Sequence, residues 1–147
     1  MRALLQRVAE ARVTTGGLIT GQIGVGLLVF LGIGKNDTKA DAERVAQKLV
    51  QLRIFPDNEG KMNLSLADIS GELLIVSQFT LYADATKGNR PSYSRAAKPE
   101  TALELYEYFV RVCRDRGFRV ETGTFQAQMQ VHLVNNGPVT IMYDSES

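Results

Sequence analysis

Reactive side chains are scarce in this chain of 147 residues, which has one cysteine, Cys113, and one histidine, His132. A lone cysteine excludes an intrachain disulfide and suits a reducing compartment. One of each also excludes a typical zinc site, which draws several ligands from these two residue types. Cys113 falls on the apolar stripe of a predicted helix, where a buried structural thiol is expected. His132 shares the polar side of a strand with Gln128 and Gln130, opposite Met129, Val131 and Leu133. A Cys-His nucleophile pair is therefore not supported.

Charge of one sign is missing too. The formal net charge is +1, so no global basic field advertises a polyanion partner, and a local patch would have to hold one. The longest apolar run, Val25 to Ile33, is far short of the roughly 20 residues of a membrane span. The opening MRALLQRVAEARV carries arginines inside its apolar run and has no small-residue cleavage site, unlike a secretory signal. A single cytoplasmic domain over residues 1–147, away from membranes, is the expectation.

What is present is a regular alternation of patterns. Ala9, Ala11 and Val13 alternate with charged residues at the period of a half-buried strand. Gly16-Gly17 marks a turn. IGVGLLVFLGI is β-branched and apolar, as in a strand buried on both faces. Ala42, Val45, Ala46, Leu49 and Val50 then recur at helical spacing, behind a Thr38–Asp41 pair resembling a capping box. PDNEGK is a loop, and ELLIVSQFTLY (Glu72 to Tyr82) reads as one strand. A second helix starts near Pro99, buries Ala102, Leu105, Tyr106, Phe109, Val110 and Cys113, and stops at Gly117. VHLVNNGPVTIMYD reads as a hairpin, a strand broken at Asn135–Pro138 and then another strand. The order predicts a mixed α/β layer protein with both helices covering sheet.

The common chemical kits do not fit. GLLVFLGIGKND resembles a phosphate loop, but Val29 stands where the first glycine is needed and Asn36 where Ser or Thr is needed. Asp68, Asp84 and Glu121 are loose carboxylates that no spacing pairs for acid–base work. SQFTLYAD (Ser77 to Asp84) instead gathers hydroxyls and an amide at the end of an apolar strand. Strict alternation sends Ser77 and Phe79 one way, Gln78 and Thr80 the other. A strand end can offer backbone N–H groups to an oxyanion without any titrating residue; the alternative is a strand that tolerates polar residues. ATKGNRPSYSRAAK carries Lys87, Arg90, Arg95 and Lys98 and no acid, either a solvated loop or a phosphate-contacting one. Tyr82 and Tyr93 are candidates to stack on a base or to pack in the core.

VSQFTLYAD and NNGPVT, taken with GKMNLSL (Gly60 to Leu66), KGNRPS (Lys87 to Ser92) and the N-terminal QRV, resemble the bacterial D-aminoacyl-tRNA deacylase family. The resemblance covers nearly the whole chain. It implies barrel-like mixed β-sheets covered by two main helices. It implies a homodimeric, cofactor-free and metal-free enzyme that hydrolyses the ester between a D-amino acid and the terminal adenosine of tRNA, and that also removes glycine mischarged on tRNA(Ala). Such an enzyme proofreads translation.

The resemblance also assigns roles. The Gly137-Pro138 bond is expected to be cis and to enter the partner subunit's site, where two carbonyls hold the substrate ammonium and leave no room for an L side chain. Ser77 and Gln78 match positions that line the site. Thr80 matches a position considered for a nucleophile. The favoured alternative is that the ribose 2′-OH of the adenosine assists, while N–H groups around Phe79 and Thr80 bind the oxyanion. Phe125 and Met129 are expected to wall the adenine pocket, or else to pack in the core, and Arg7 to brace the Gly-Pro segment. One departure is Asn136, where the family form has Asp. Two other readings compete: a non-catalytic tRNA-binding module on the same fold, and a metal-dependent hydrolase.

Overall fold

The computed structural model describes residues 1–146. The chain begins with a long strand, β1 (Arg2–Thr15), which turns at Gly16-Gly17 into β2 (Leu18–Ile23) and passes on to β3 (Gly26–Gly32). Both turn glycines have positive φ, 57° and 81°, the backbone that a tight two-residue hairpin demands and that a side chain resists. Helix α1 (Lys39–Gln51) follows. Thr38 caps it as predicted: its hydroxyl accepts from the Asp41 amide, and the Asp41 carboxylate accepts from the Thr38 amide. A short hairpin, β4 (Phe55–Pro56) and β5 (Met62–Leu64), leads to β6 (Glu72–Ser77). Helix α2 (Pro99–Asp115), β7 (Val120–Thr122) and β8 (Gln130–Asp144) complete the fold.

The main sheet runs β2-β1-β3-β6-β7, with β8 along the other side of β1. β3, β6 and β7 are mutually parallel, and β1 is antiparallel to β2, β3 and β8. Successive side chains of a strand face opposite ways, and the strands divide accordingly. Leu27, Val29, Leu31, Leu73 and Ile75 pack with both helices in the main core, whereas Leu28, Leu74 and Val76 join Val8, Ala11, Val13 and Ile23 in a second cluster. The sheet curls around this second cluster. Gly21 of β2 lies so close to β7 that a Cβ there would come within 2.3 Å of the Thr122 carbonyl oxygen. The result is the expected mixed α/β architecture, a barrel-like sheet with two helices over one face.

Two elements differ from the sequence reading. The strand predicted to reach Tyr82 ends at Ser77, and Phe79–Tyr82 form a 3-10 turn, so alternation does not govern Gln78, Phe79 and Thr80. The predicted hairpin around Gly137-Pro138 is one strand, β8, paired with β1 on both sides of the break: Gln6 faces Thr140 and Val8 faces Asn135. Between these registers β1 has only Arg7 while β8 has Asn136 to Val139. The Gly-Pro segment is thus an outward bulge of a continuous strand, a device that re-aims backbone locally while pairing resumes beyond it.

Candidate active site

The C-terminal ends of β3, β6 and β7 lie together, and beyond the carboxyl ends of parallel strands is where α/β sheets bind ligands. Gln78 leaves β6 with its amide donating to the Leu31 carbonyl at 2.8 Å. The chain then bends into the 3-10 turn. The Leu81 amide closes the turn on the Gln78 carbonyl. The amides of Phe79 and Thr80, first in the turn, have no carbonyl to bond within it. Among the described residues neither makes a hydrogen bond. Gln78 donates its side-chain amide to the Thr80 hydroxyl, which ties the two polar side chains to each other. No titratable group stands in this bend from Ser77 to Leu81.

Neighbouring elements complete the edge. Ile75 pairs with Thr122, so Gly123 to Phe125 continue alongside the end of β6. Phe125 stacks against Tyr106, ring centroids 6.0 Å apart, and the Tyr106 hydroxyl donates to the Ile75 carbonyl at 2.6 Å. Burial pushes that phenol's pKa up, so it remains a donor. Met129 packs on the second cluster against Gly123, where a Cβ would lie 2.6 Å from its sulfur. Sheet pairing and packing thus bring Ser77, Gln78, Phe79, Thr80, Phe125 and Met129 to one end of the sheet.

The basic segment joins this end. Tyr93 packs its ring edge-on against Phe79 at 5.0 Å, both rings being solvent-exposed. The segment is anchored by bridges between Asp84 and Ser92 and between Gly34 and Ala96. Of the two readings for Tyr82, core packing is the one the structure bears out. It is buried, its ring under the Arg2 guanidinium and close to that of Arg95, and burial raises its pKa.

Arg7, Gly137 and Pro138 stand elsewhere. Ser77 is level with Leu31, Ala3 and Tyr143, whereas Arg7 is level with Leu27 and Leu73. At ordinary strand dimensions this separates the Gly-Pro bulge from Ser77 of the same chain by about 13 Å along the strands and about 14 Å across them. The bulge itself is tightly built. The Gly137-Pro138 bond is cis. Arg7 donates from Nε to the Asn136 carbonyl and from Nη1 to the Ile54 carbonyl, both at 2.7 Å. Asn135, which sequence reasoning passed over, closes the base: its Oδ1 accepts from the Val139 amide at 2.8 Å, and its Nδ2 donates to the Val139 carbonyl and the Thr140 hydroxyl.

The loose carboxylates have structural duties. Asp84 accepts from the Thr86 amide and hydroxyl, and these bonds hold its pKa below the usual range. Asp68 accepts from the Ser65 amide, and Glu121 pairs with Arg119 at 3.6 Å. Cys113 is buried, which pushes its thiol up to about 12. His132 is exposed on the polar side of β8. Among the described residues no three His, Cys, Asp or Glu side chains converge as metal ligands would, and no helix is long and apolar enough to cross a membrane.

A family model described as D-Tyr-tRNA(Tyr) deacylase matches residues 4–144. A D-aminoacyl-tRNA deacylase of Thermosipho africanus is 58% identical over 146 residues, covering 99% of this chain and 98% of that protein. A solved structure described as c-Myc DNA Unwinding Element Binding Protein superposes with a TM-score of 0.93 at 41% identity, covering 98% of each chain. Another, described as a probable eukaryotic D-amino acid tRNA deacylase, has a TM-score of 0.83 at 19% identity over 97% of each chain, a likeness of fold.

Proposed function

Because this chain belongs to the D-Tyr-tRNA(Tyr) deacylase family, it is a hydrolase of D-aminoacyl-tRNA, and we propose that it sorts mirror-image substrates with main chain and cleaves them without a side-chain nucleophile. Membership in an enzyme family sets aside the non-catalytic tRNA-binding module. The observation that carries the proposal is the bend at Ser77–Thr80, where two unpartnered amides meet no titratable group.

The chemistry follows from that poverty. An ester carbonyl seated at the bend would find the Phe79 and Thr80 amides as donors for its developing oxyanion. Preorganised donors of this kind are worth about 3–4 kcal/mol each in a hydrolytic site. The bend offers no base for the attacking water, and the substrate's own 2′-OH would activate or orient it. Phe125 and Met129 would wall the terminal adenine, with Ser77 and Gln78 beside it. Lys87 and Arg90 would meet the phosphates leading into the site; the low net charge then gives a shallow salt dependence, since few phosphates are neutralised.

Selection would come from a second copy of the chain. The bulge is too far along and across the sheet to serve its own Ser77–Thr80 bend, but it is exposed and braced. In a homodimer, Gly137 and Pro138 would reach the partner's bend. Their carbonyls would accept from the substrate ammonium and exclude a side chain of L configuration. Glycine has no side chain to reject, so glycyl-tRNA(Ala) would pass the same filter. Substrate and setting imply the cytoplasm.

The test compares hydrolysis of D-Tyr-tRNA and L-Tyr-tRNA, then repeats the D substrate with Thr80→Ala enzyme and with a 2′-deoxy terminal adenosine. Rapid D-selective cleavage, retained by Thr80→Ala and lost with the deoxy substrate, is expected. A folded Thr80→Ala enzyme that binds tRNA but does not cleave would return the chemistry to the hydroxyl.

A further inference from the structure

The bend that carries Phe79 and Thr80 is held from behind by Arg2, at the start of β1. Arg2 Nη1 donates to the Leu81 carbonyl at 2.8 Å, and its Nε donates to the Asp144 carboxylate at 3.0 Å. The guanidinium also lies over the Tyr82 ring, 4.6 Å from its centroid. The Leu81 carbonyl sits at the end of a one-turn 3-10 helix, where carbonyls lack intrahelical partners, and Arg2 supplies the donor.

Leu81 is consequently pinned at both of its peptide groups. Its amide bonds the Gln78 carbonyl at 3.2 Å, and its carbonyl bonds Arg2. Between the Gln78 carbonyl and the Leu81 amide lie only Phe79 and Thr80. The turn cannot relax toward β3 either, because it packs directly on Gly32: a Cβ there would come within 3.1 Å of both the Gln78 carbonyl oxygen and Leu81 Cβ. The Arg2–Leu81 bond therefore adds a second restraint, beyond the turn's own Leu81–Gln78 bond, on the segment that carries the Phe79 and Thr80 amides.

We propose that Arg2 is a positioning residue for ester hydrolysis, fixing the direction of the Phe79 and Thr80 amides through the Leu81 carbonyl while Asp144 orients its guanidinium. The inference rests on those amides being the oxyanion donors. Arg2 acts through geometry: its fork is committed to Leu81 and Asp144, and the Asp144 carboxylate pairs its charge. A lysine has the charge but not the planar pair of donors that serves two acceptors at once.

Two analogues on a short acceptor-stem RNA test this: D-tyrosine joined to the terminal adenosine by a non-hydrolysable amide, and its tetrahedral phosphonate counterpart. Wild-type enzyme is expected to prefer the phosphonate. Arg2→Met should lose about tenfold or more of that preference, as small misplacements of catalytic groups do, while amide-analogue affinity stays within about twofold of wild type. Arg2→Lys should fall between, and Asp144→Asn should weaken the preference less because the Leu81 bond remains. These two variants make the comparison if Arg2→Met does not fold. A wild-type enzyme without phosphonate preference would defeat the oxyanion reading itself. A wild-type preference that Arg2→Met retains, or an equal loss of both analogues, would overturn the role of Arg2 alone.

Discussion

The Nε of Arg7 lies 2.7 Å from the carbonyl oxygen of Asn136, and its Nη1 lies 2.7 Å from that of Ile54. One planar side chain thereby ties the exposed Gly-Pro bulge to the segment that leaves α1. The bulge has four residues against one across the ladder, so ladder hydrogen bonds alone do not define its shape. Arg7 supplies what the ladder omits, and the Asn136 carbonyl it holds immediately precedes Gly137.

Arg7→Met should leave the strands paired but free the bulge. Hydrogen bonds to a charged donor contribute about 1.5–3 kcal/mol when buried; these are partly exposed, so a total loss of about 1–2 kcal/mol is expected by urea unfolding. Catalysis should suffer comparably. Hydrolysis of D-Tyr-tRNA should fall by about tenfold or more, equivalent to about 1.4 kcal/mol, and the ratio of D to L rates should fall with it. A variant as D-selective as wild type would mean that the bulge keeps its shape without Arg7.

The two asparagines before Gly137 have unequal tasks. Asn135 brackets Val139 with both its donor and its acceptor, whereas Asn136 is exposed and contributes its carbonyl to Arg7. The Asp that relatives of this type are expected to carry at 136 is therefore dispensable for the anchor. Asn136→Asp should change stability by less than about 0.5 kcal/mol, as surface substitutions do. Asn135→Asp replaces a donor with a carboxylate oxygen facing the Val139 carbonyl, and should cost about 1–3 kcal/mol together with most of the activity. Equal effects of the two substitutions, read by thermal unfolding and D-Tyr-tRNA hydrolysis, would contradict this division.

Local rules account for what the sequence reveals of the fold. The Thr38–Asp41 box, Pro99 at the head of α2 and the apolar spacing of both helices involve partners within a few residues, and each is found as read. Errors arise where distant partners decide. Asn-Asn-Gly-Pro carries the composition of a turn, yet β1 pairs with β8 on either side of it and makes it a bulge. The apolar run through Tyr82 looks like strand, but β3 ends at Gly32 and leaves the segment beyond Ser77 no strand to follow. Arg2 was invisible as a site residue because its acceptors lie 142 and 79 positions away. Polar residues at a strand end drew attention to SQFT, and motif resemblance supplied its roles and those of Gly-Pro; periodicity supplied neither.

Gly123 controls the place of Met129 without touching the reaction. A Cβ at Gly123 would lie 2.6 Å from the Met129 sulfur and 3.4 Å from a Val13 methyl. Methionine is unbranched and adaptable, so Gly123→Ala should displace it at a stability cost near the low end of overpacking, about 1 kcal/mol. If Met129 walls the adenine pocket, the displacement raises KM for D-aminoacyl-tRNA several-fold and leaves kcat nearly unchanged, the pattern of lost uniform binding. An unchanged KM in a folded Gly123→Ala enzyme would assign Met129 to packing alone.

Acid should loosen the edge where β2 meets β6. Glu72 accepts from the Gly24 amide at 2.8 Å and from Arg119, and these bonds, the first foremost, hold its pKa below the ordinary value. A carboxyl with a depressed folded-state pKa contributes stability above its unfolded pKa of about 4.3, and that contribution fades as pH falls through the folded value. Glu72→Gln should therefore be less stable than wild type at pH 7, with the gap narrowing as pH drops below about 4. Urea midpoints measured from pH 7 down to about pH 3 provide the comparison, because only the ionised form of Glu72 gains from Arg119. A gap that stays constant over this range would mean that Glu72 does not contribute to the acid sensitivity of the fold.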